Sequence, residues 1–305
     1  MSYEITKGLL PGLDNYVYMD VEQHRYFDRD QREYESVSKF ISRFVKPFDV
    51  EKMAPLSAKK RGVSVQTILK EWDLKKNNAI DHGNRIHDAL ERFDKTTTIT
   101  PENDDLRPTI LAVAGVYKSY YRRVSEALIY DTEHFIAGTT DKIMQCTSHP
   151  NSVIDLDDYK TNLSKGIEYK SKYNEYMLGP LSHLQNCSYN KYALQLSIYA
   201  YLYQKKTGCK IGMLNIMFIP PEDHLSFRRI PVPYMKHEVE AMLEYKMVVD
   251  APKAVAIPSG FGATTQDDFD EDFINVKKHN KKLDNSVLHF PVNSNTSSMV
   301  DDDDF

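Results

Sequence analysis

Apolar side chains recur with helical spacing in two parts of this chain. In residues 79–93, Ile86, Leu90 and Phe93 lie at positions i, i+4 and i+7, which predicts an amphipathic helix with one face on a core. Residues 192–203 are strongly apolar and predict a second, buried helix over about 189–206, which ends near Gly208.

Between and after these helices the pattern changes to that of β-strands. The predicted strands cover residues 127–136, 139–146, 152–160, 210–219 and 224–232, and a last helix covers about 235–250. Residues 36–124 are predicted to be mostly helical, with breaks at Pro47 and around 101–108, and residues 1–30 form an irregular arm or hairpin. This mixture predicts an α/β fold with a central mixed β-sheet flanked by helices.

Length and composition allow one large domain with a tail. The chain has 305 residues, of which 41% are apolar, so a substantial core is possible. We expect a domain over residues 1–265, with a helical N-terminal region at about 30–125 and a core at about 126–250. Residues 266–305 are acidic, and within them 280–300 are rich in Asn, Ser and Thr without periodicity, which predicts a disordered tail.

Strand periodicity selects one acid from a run of three. Side chains alternate between faces along a strand, so Asp158 shares a face with Lys160, whereas Asp155 and Asp157 project from the other face. Asp141 lies on the neighbouring predicted strand. Two carboxylates beside an ammonium group suit a hard divalent cation and a phosphate. The alternative is a surface ion pair, which is common in exposed strands and contributes little.

The two predicted helices add further polar side chains. Gly83, His87 and Glu91 follow one another at a spacing of four, on one stripe beside the apolar face. Gln195 and Tyr199 lie one turn apart on the apolar helix. The alternative for each helix is structural: a buried histidine with a neighbouring partner, and a core helix with one satisfied glutamine.

Taken in order, these motifs resemble the PD-(D/E)XK nuclease superfamily. They are Gly83-x-x-x-His87, Gly138-x-x-Asp141, Asp158-x-Lys160 and Gln195-x-x-x-Tyr199. The resemblance covers about residues 30–230 and is strongest to the RecB-like exonuclease branch, which includes many phage and recombination nucleases. It implies a restriction-endonuclease-like core and metal-dependent hydrolysis of DNA from its ends, in replication, recombination or repair.

The resemblance also implies a metal site. Asp141 and Asp158 would coordinate Mg²⁺ or Mn²⁺ together with the backbone carbonyl of Tyr159, and His87 would complete a second metal position. Glu133 lies where some relatives carry another acid, and we expect it and Glu91 to support the ligands rather than to bind the metal.

The remaining roles concern the reaction and the nucleic acid. By the same resemblance, Lys160 would orient the attacking water and stabilise the charge that develops on the phosphate, and Gln195 would position the water or the phosphate. Tyr199 would contact the DNA strand or support Gln195. A structure-selective endonuclease, a non-catalytic DNA-binding module that loads a partner, and an RNA nuclease are the alternatives.

The net charge of −5 is unevenly distributed. Residues 266–305 hold ten acids and four bases, so the rest of the chain has a net charge of about +1 and can carry a locally positive surface. Arg122, Arg123 and Lys165 are candidate phosphate contacts, although solvated surface charge is the alternative for such clusters. Residues 161–187 form a polar insertion longer than an ordinary loop, which could close over a DNA end.

Three further features bear on cofactors, partners and location. The three cysteines cannot supply the four thiolates of a [4Fe–4S] cluster, so none is expected. The chain shows neither a long apolar run nor the basic-then-apolar pattern of a signal peptide, so we expect a cytoplasmic protein. Asp301–Phe305 resembles the tails of single-stranded DNA-binding proteins, which predicts docking on a replication or recombination partner; a solubilising end is the alternative.

Overall fold

The computed structural model describes residues 10, 12–20, 23, 25–148, 153–161, 166–221 and 223–250. The predictions for Lys165, for the domain boundary at 265, for the disordered tail 266–305 and for Asp301–Phe305 lie outside these residues.

Eight strands form one mixed sheet, which confirms the predicted fold class. They are β1 (Val17–Asp20), β2 (Arg25–Asp28), β3 (Glu33–Ser36), β4 (Arg122–Asp131), β5 (Ile136–Gln145), β6 (Ile154–Lys160), β7 (Ile211–Phe218) and β8 (Arg228–Val232). The order is β1-β2-β3-β5-β6-β7-β8, and β4 also pairs with β5. The β3–β5 and β6–β7 pairs are parallel, and the others are antiparallel.

Within the described residues, six α-helices flank this sheet. They are α1 (Val37–Ser42), α2 (Val50–Arg61), α3 (Val65–Thr96), α4 (Arg107–Val116), α5 (Ser188–Thr207) and α6 (Lys236–Asp250). The predicted helix at 79–93 is the second half of α3, which begins where the Ser64 side chain accepts a hydrogen bond from the Thr67 backbone N–H. None of the helices in the described part of the chain is long and apolar enough to cross a membrane.

The two faces of the sheet pack against different helices. Ile143 and Leu156 belong to a core cluster that includes side chains of α1, α5 and α6. Met144 follows Ile143 on β5, and Tyr159 lies three residues after Leu156 on β6, so both point to the opposite face. Both belong to a second cluster with side chains of α3 and α4. Strand alternation therefore places Asp141 and Asp158 on the α5 side and Lys142 and Asp157 on the α3 side.

The predicted boundary between the strands 127–136 and 139–146 is wrong. The structure places the hairpin turn at residues 132–135 and Gly138 inside β5. Asp131 stabilises this turn by accepting a hydrogen bond from the Glu133 N–H at 3.1 Å, and Phe135 has a φ of 52°. Gly138 serves packing instead, because a Cβ there would lie 2.8 Å from the ring of Tyr199.

The outer elements differ from their predictions by one added strand and by one shifted strand start. β1 and β2 pair antiparallel within the predicted arm, and β3 adds a strand that the sequence pattern did not predict. The predicted strand 224–232 begins at Arg228, because residues 224–226 form a short 3₁₀ turn capped by the Asp223 side chain.

Candidate active site

Three acids form a row across three adjacent strands. Lys142 pairs with Asp157 across β5 and β6, so the next position in register sets Asp141 opposite Asp158. On the other side of β5, Glu126 of β4 falls opposite Asp141, between the pairs Ser125–Lys142 and Ala127–Thr140. We call Glu126, Asp141 and Asp158 the acidic row. Directly opposed residues bring their side chains about 5 Å apart, so the row concentrates negative charge.

Asp141 occupies the point where the β5–β6 pairing ends. Its Oδ2 accepts a hydrogen bond from the Tyr159 backbone N–H at 2.5 Å, so a carboxylate takes the place of a strand carbonyl. Its Oδ1 lies 3.0 Å from Nδ1 of His87, whose ring meets the Tyr159 ring edge-on at a centroid distance of 5.5 Å. These contacts lower the pKa of Asp141 against the opposing effect of burial, and the carboxylate raises the pKa of His87.

Helix α3 passes close to the end of β6 and thereby places His87 beside Asp141. A Cβ on Gly83, one turn before His87, would lie 3.1 Å from Oγ1 of Thr161, which follows Lys160. The glycine therefore lets the helix approach the strand that carries Asp158 and Lys160. Thr161 occupies the space beside Gly83, one turn before His87.

Asp158 and Lys160 meet as strand alternation predicts. Lys160 Nζ lies 2.5 Å from Asp158 Oδ2 and 4.7 Å from the centroid of the Tyr192 ring, and both charged side chains are buried. Burial and the nearby Asp141 raise the pKa of Asp158 to about 6, although Lys160 opposes the shift. The pKa of Lys160 stays above its usual value despite burial, because Asp158 and Asp141 favour the charged form.

Glu126 is the site residue that the sequence motifs missed. Burial and the neighbouring Asp141 raise its pKa to about 9. It adopts a φ of 50°, a left-handed conformation that is costly for a residue with a Cβ and that clusters at functional sites. Ligand atoms of His87, Glu126 and Asp141 lie within 4.8 Å of one another, so the three could hold a metal ion. Carboxylate oxygens with one imidazole suit Mg²⁺ or Mn²⁺.

Gln195 and Tyr199 lie on the inward side of α5. Gln195 Nε2 lies within 3.4 Å of the Tyr199 hydroxyl, to which it donates a hydrogen bond. Tyr199 is only 3% exposed and its ring lies against Gly138. Of the two predicted roles for Tyr199, its position favours support of Gln195 over contact with DNA.

Glu133 lies in a different part of the molecule, at the β4–β5 turn. It is exposed, and its carboxylate is 2.6 Å from Lys205 Nζ. Together with Asp131 and His134 it forms a second group whose ligand atoms lie within 4.8 Å of one another. Lys205 also pairs with Asp131, so a cation of the protein itself already offsets charge there. The described contacts of Glu133 are with Lys205 and with the Asp131–His134 group, so none of them supports its predicted role at the metal.

The other predicted residues have contacts of their own. Glu91 pairs with Lys95 one turn along α3. The Arg122 guanidinium lies 5.2 Å from the centroid of the Tyr121 ring. Arg123 donates a hydrogen bond to the Tyr117 backbone carbonyl at 3.1 Å and is mostly buried at its side chain. These positions leave the roles of all three as predictions.

Comparison with known proteins assigns no family. No family model matches the chain, and no curated protein matches it. Among solved structures, it is similar to the crystal structure of the protein named "Putative exonuclease" from Eubacterium rectale. The TM-score is 0.34 with 14% sequence identity, over 71% of this chain and 79% of that chain. At this level the function has to be argued from the residues of the site, and the resemblance to PD-(D/E)XK nucleases stays a prediction.

Proposed function

We propose that this protein is a metal-dependent nuclease that hydrolyses DNA phosphodiester bonds. The observation that carries the proposal is the acidic row, which has His87 against Asp141 and Lys160 against Asp158. The row brings three carboxylates and one lysine into a mostly buried space. Three carboxyl groups this close can all be ionised only if a cation offsets their charge, and the raised pKa of Glu126 reflects that cost.

A divalent cation fits this donor set. Glu126, Asp141 and His87 would hold it, with Asp158 next along the row, and Mg²⁺ needs only one or two carboxylates because phosphate and water fill its other positions. When bound, the ion supplies Lewis-acid stabilisation of phosphate oxygens and lowers the pKa of a bound water.

The chain's own residues would fix the charges around the phosphate. Asp158 and the Tyr192 ring hold Lys160 Nζ in one position, so its charge is already oriented toward the site before the substrate arrives. A lysine suits this role as a compact charge that pairs with phosphate oxygens. Tyr199 restrains Gln195, whose amide can then donate to the phosphate or to the attacking water.

Attack from DNA ends is the form of the reaction that we favour, and it is supported only by the motif resemblance to RecB-like exonucleases. The test is digestion of end-labelled DNA with Mg²⁺, Mn²⁺ or EDTA, on linear and covalently closed circular substrates. The enzymes are the wild type, Lys160→Ala, and Lys210→Ala as a control that removes an exposed lysine outside the site.

We expect metal-dependent loss of linear DNA only, abolished by Lys160→Ala and unchanged by Lys210→Ala. Cleavage of the circle would convert the proposal to an endonuclease. Binding of DNA without cleavage of either substrate would reject the nuclease and favour a binding module.

A further inference from the structure

The segment between β6 and α5 exposes three tyrosines. In residues 166–187, which we call the tyrosine loop, Tyr169 is 56% exposed, Tyr173 57% and Tyr176 47%. Burying large aromatic side chains is strongly favourable, so three of them held in water within one loop indicate a surface that binds something.

The loop is ordered by its own hydrogen bonds. The Ser171 N–H donates to Gln185 Oε1 at 3.1 Å, the Asn186 N–H to the Glu175 carbonyl at 2.9 Å, and the Met177 N–H to the Leu184 carbonyl at 2.9 Å. Ile167, Met177 and Leu181 are buried in the main core and anchor the loop from below. The exposed rings therefore stand on a fixed backbone, and a ligand would have little loop entropy to remove on binding.

The tyrosine loop adjoins the candidate active site through α5. The rings of Tyr169 and Tyr189 lie 5.0 Å apart between centroids, with their planes tilted by 35°. Tyr189, Tyr192 and Gln195 follow one another at three-residue intervals on α5, which places Tyr189 about 9 Å along the helix axis from Gln195. Lys160 lies over the Tyr192 ring, and Tyr189 is about one helical turn from Tyr192, so the Tyr169–Tyr189 pair begins close to the site.

Cations accompany the exposed rings. Lys170 and Lys172 are exposed, and Lys172 Nζ lies 5.8 Å from the centroid of the Tyr173 ring. Arg228, also exposed, comes within about 4 Å of the position that a Cβ on Gly166 would occupy. Two acids, Glu168 and Glu175, lie in the same loop, so cations outnumber acids around the rings by only one.

We infer that the tyrosine loop binds unpaired bases of a nucleic-acid strand whose backbone leads to the acidic row. Every base offers a face for stacking on an aromatic ring, and neighbouring lysines can contact the phosphates between bases. A duplex hides the faces of its bases, so the loop selects a single-stranded segment. This inference rests on the proposed nuclease function and specifies its substrate.

The test measures binding, with Ca²⁺ replacing Mg²⁺ so that cleavage does not interfere. Fluorescence anisotropy gives the dissociation constants of a single-stranded oligonucleotide of about 12 nucleotides and of the matching duplex. A single RNA strand of the same sequence forms a second arm. The variants are Tyr173→Ala, the double variant Tyr169→Ala with Tyr173→Ala, Tyr173→Phe, and Tyr18→Ala as a control for an exposed tyrosine on β1.

We expect Tyr173→Ala to weaken single-strand binding about tenfold and the double variant to weaken it further, with little change for the duplex. Tyr173→Phe keeps the ring and should bind like the wild type, as should Tyr18→Ala. Tyrosine-dependent binding of either DNA or RNA supports the inference. The strand with the lower dissociation constant identifies the substrate. Thermal unfolding of each variant checks that the loop still folds.

Unchanged single-strand affinity in both alanine variants would overturn the inference, as would an equal loss for strand and duplex. The first result would point to a protein partner for the rings. If the wild type cleaves DNA while the alanine variants bind normally, only this inference fails. If binding depends on the tyrosines but no DNA is cleaved, the proposed hydrolysis fails and the base-binding surface stands.

Discussion

The two faces of β5 and β6 differ in how their buried acids are paired with cations. On the α3 side, Lys142 pairs with Asp94 and donates to Ser125, and Asp157 pairs with Arg229. Each buried acid named there has a protein cation beside it. On the α5 side, the acidic row has three carboxylates for Lys160 and the partly exposed His87.

Asp157 and Asp158, adjacent on β6, therefore differ in how their carboxyl groups are satisfied. Asp157 accepts four hydrogen bonds, two from Arg229 and one each from Asn215 and Tyr117, which satisfies its oxygens within the protein. Asp158 has an ion pair with Lys160, and the raised pKa values of Asp158 and Glu126 mean that ionising all three acids of the row is unfavourable. A face whose charges are matched can serve stability, whereas a face with surplus acids is suited to binding a cation from solution.

The largest effect on folding is expected for Asp157→Asn. The amide would leave the Arg229 charge without its carboxylate in a buried network, so the free energy of unfolding should fall by about 3–5 kcal/mol. Urea denaturation measures this change. A loss below about 1 kcal/mol would mean that the α3-side network is not structural.

The Asp-to-Asn substitution at the next residue, Asp158, should lower the cleavage rate rather than the stability. Asp158→Asn should lower the cleavage rate about 10²- to 10³-fold, because Lys160 loses its positioning partner and the site loses a carboxylate. The free energy of unfolding should change by less than about 1 kcal/mol, because burial of the Asp158 charge is itself unfavourable and Asp141 still offsets Lys160. Rate and urea measurements on the two neighbouring variants would refute the contrast if both variants behaved alike.

A smaller loss of rate is expected for Glu126→Gln. The amide keeps the shape of the side chain but cannot ionise to the carboxylate that would hold the metal, so cleavage should fall about 10- to 100-fold. Stability without metal should stay the same or rise, because one of two adjacent buried acids is gone. Glu133→Gln is the matched control and should leave the rate unchanged. Equal rates for the two variants would exclude Glu126 from the site.

The smallest change concerns the packing behind the row. Gly138→Ala would push a methyl group against the Tyr199 ring and should lower the free energy of unfolding by about 1–3 kcal/mol. Gly115 of α4 has open space around its Cβ position, so Gly115→Ala should raise stability by about 0.5–1 kcal/mol. Denaturation of both variants checks this, and a neutral Gly138→Ala would show that the ring moves aside.

The sequence predicted what depends on local periodicity. The pairing of Asp158 with Lys160 follows from alternation within one strand, and α5 follows from its apolar run. The α/β fold class follows from the succession of such segments. None of these inferences needs knowledge of how distant residues pair.

Glu126 was missed because it depends on strand register. The predicted strands 127–136 and 139–146 meet at residues 137–138, whereas the turn lies at residues 132–135. With Asp131 paired to Ile136, counting back along both strands leads to Glu126 opposite Asp141. Asp131 itself could have been a signal for the correct position, since Asp side chains often begin turns and its side chain accepts a hydrogen bond from the Glu133 N–H. Burial of Tyr199 was equally out of reach, because it depends on the contact between α5 and β5.

Isothermal titration with Mn²⁺ tests the central claim most directly, namely that the acidic row binds the catalytic metal and the group of Asp131, Glu133 and His134 at the β4–β5 turn does not. The proteins are the wild type, Asp141→Asn and Asp131→Asn. We predict that the wild type and Asp131→Asn bind Mn²⁺ with the same affinity and that Asp141→Asn loses this binding. Unchanged Mn²⁺ binding by Asp141→Asn, or its loss in Asp131→Asn, would contradict the account.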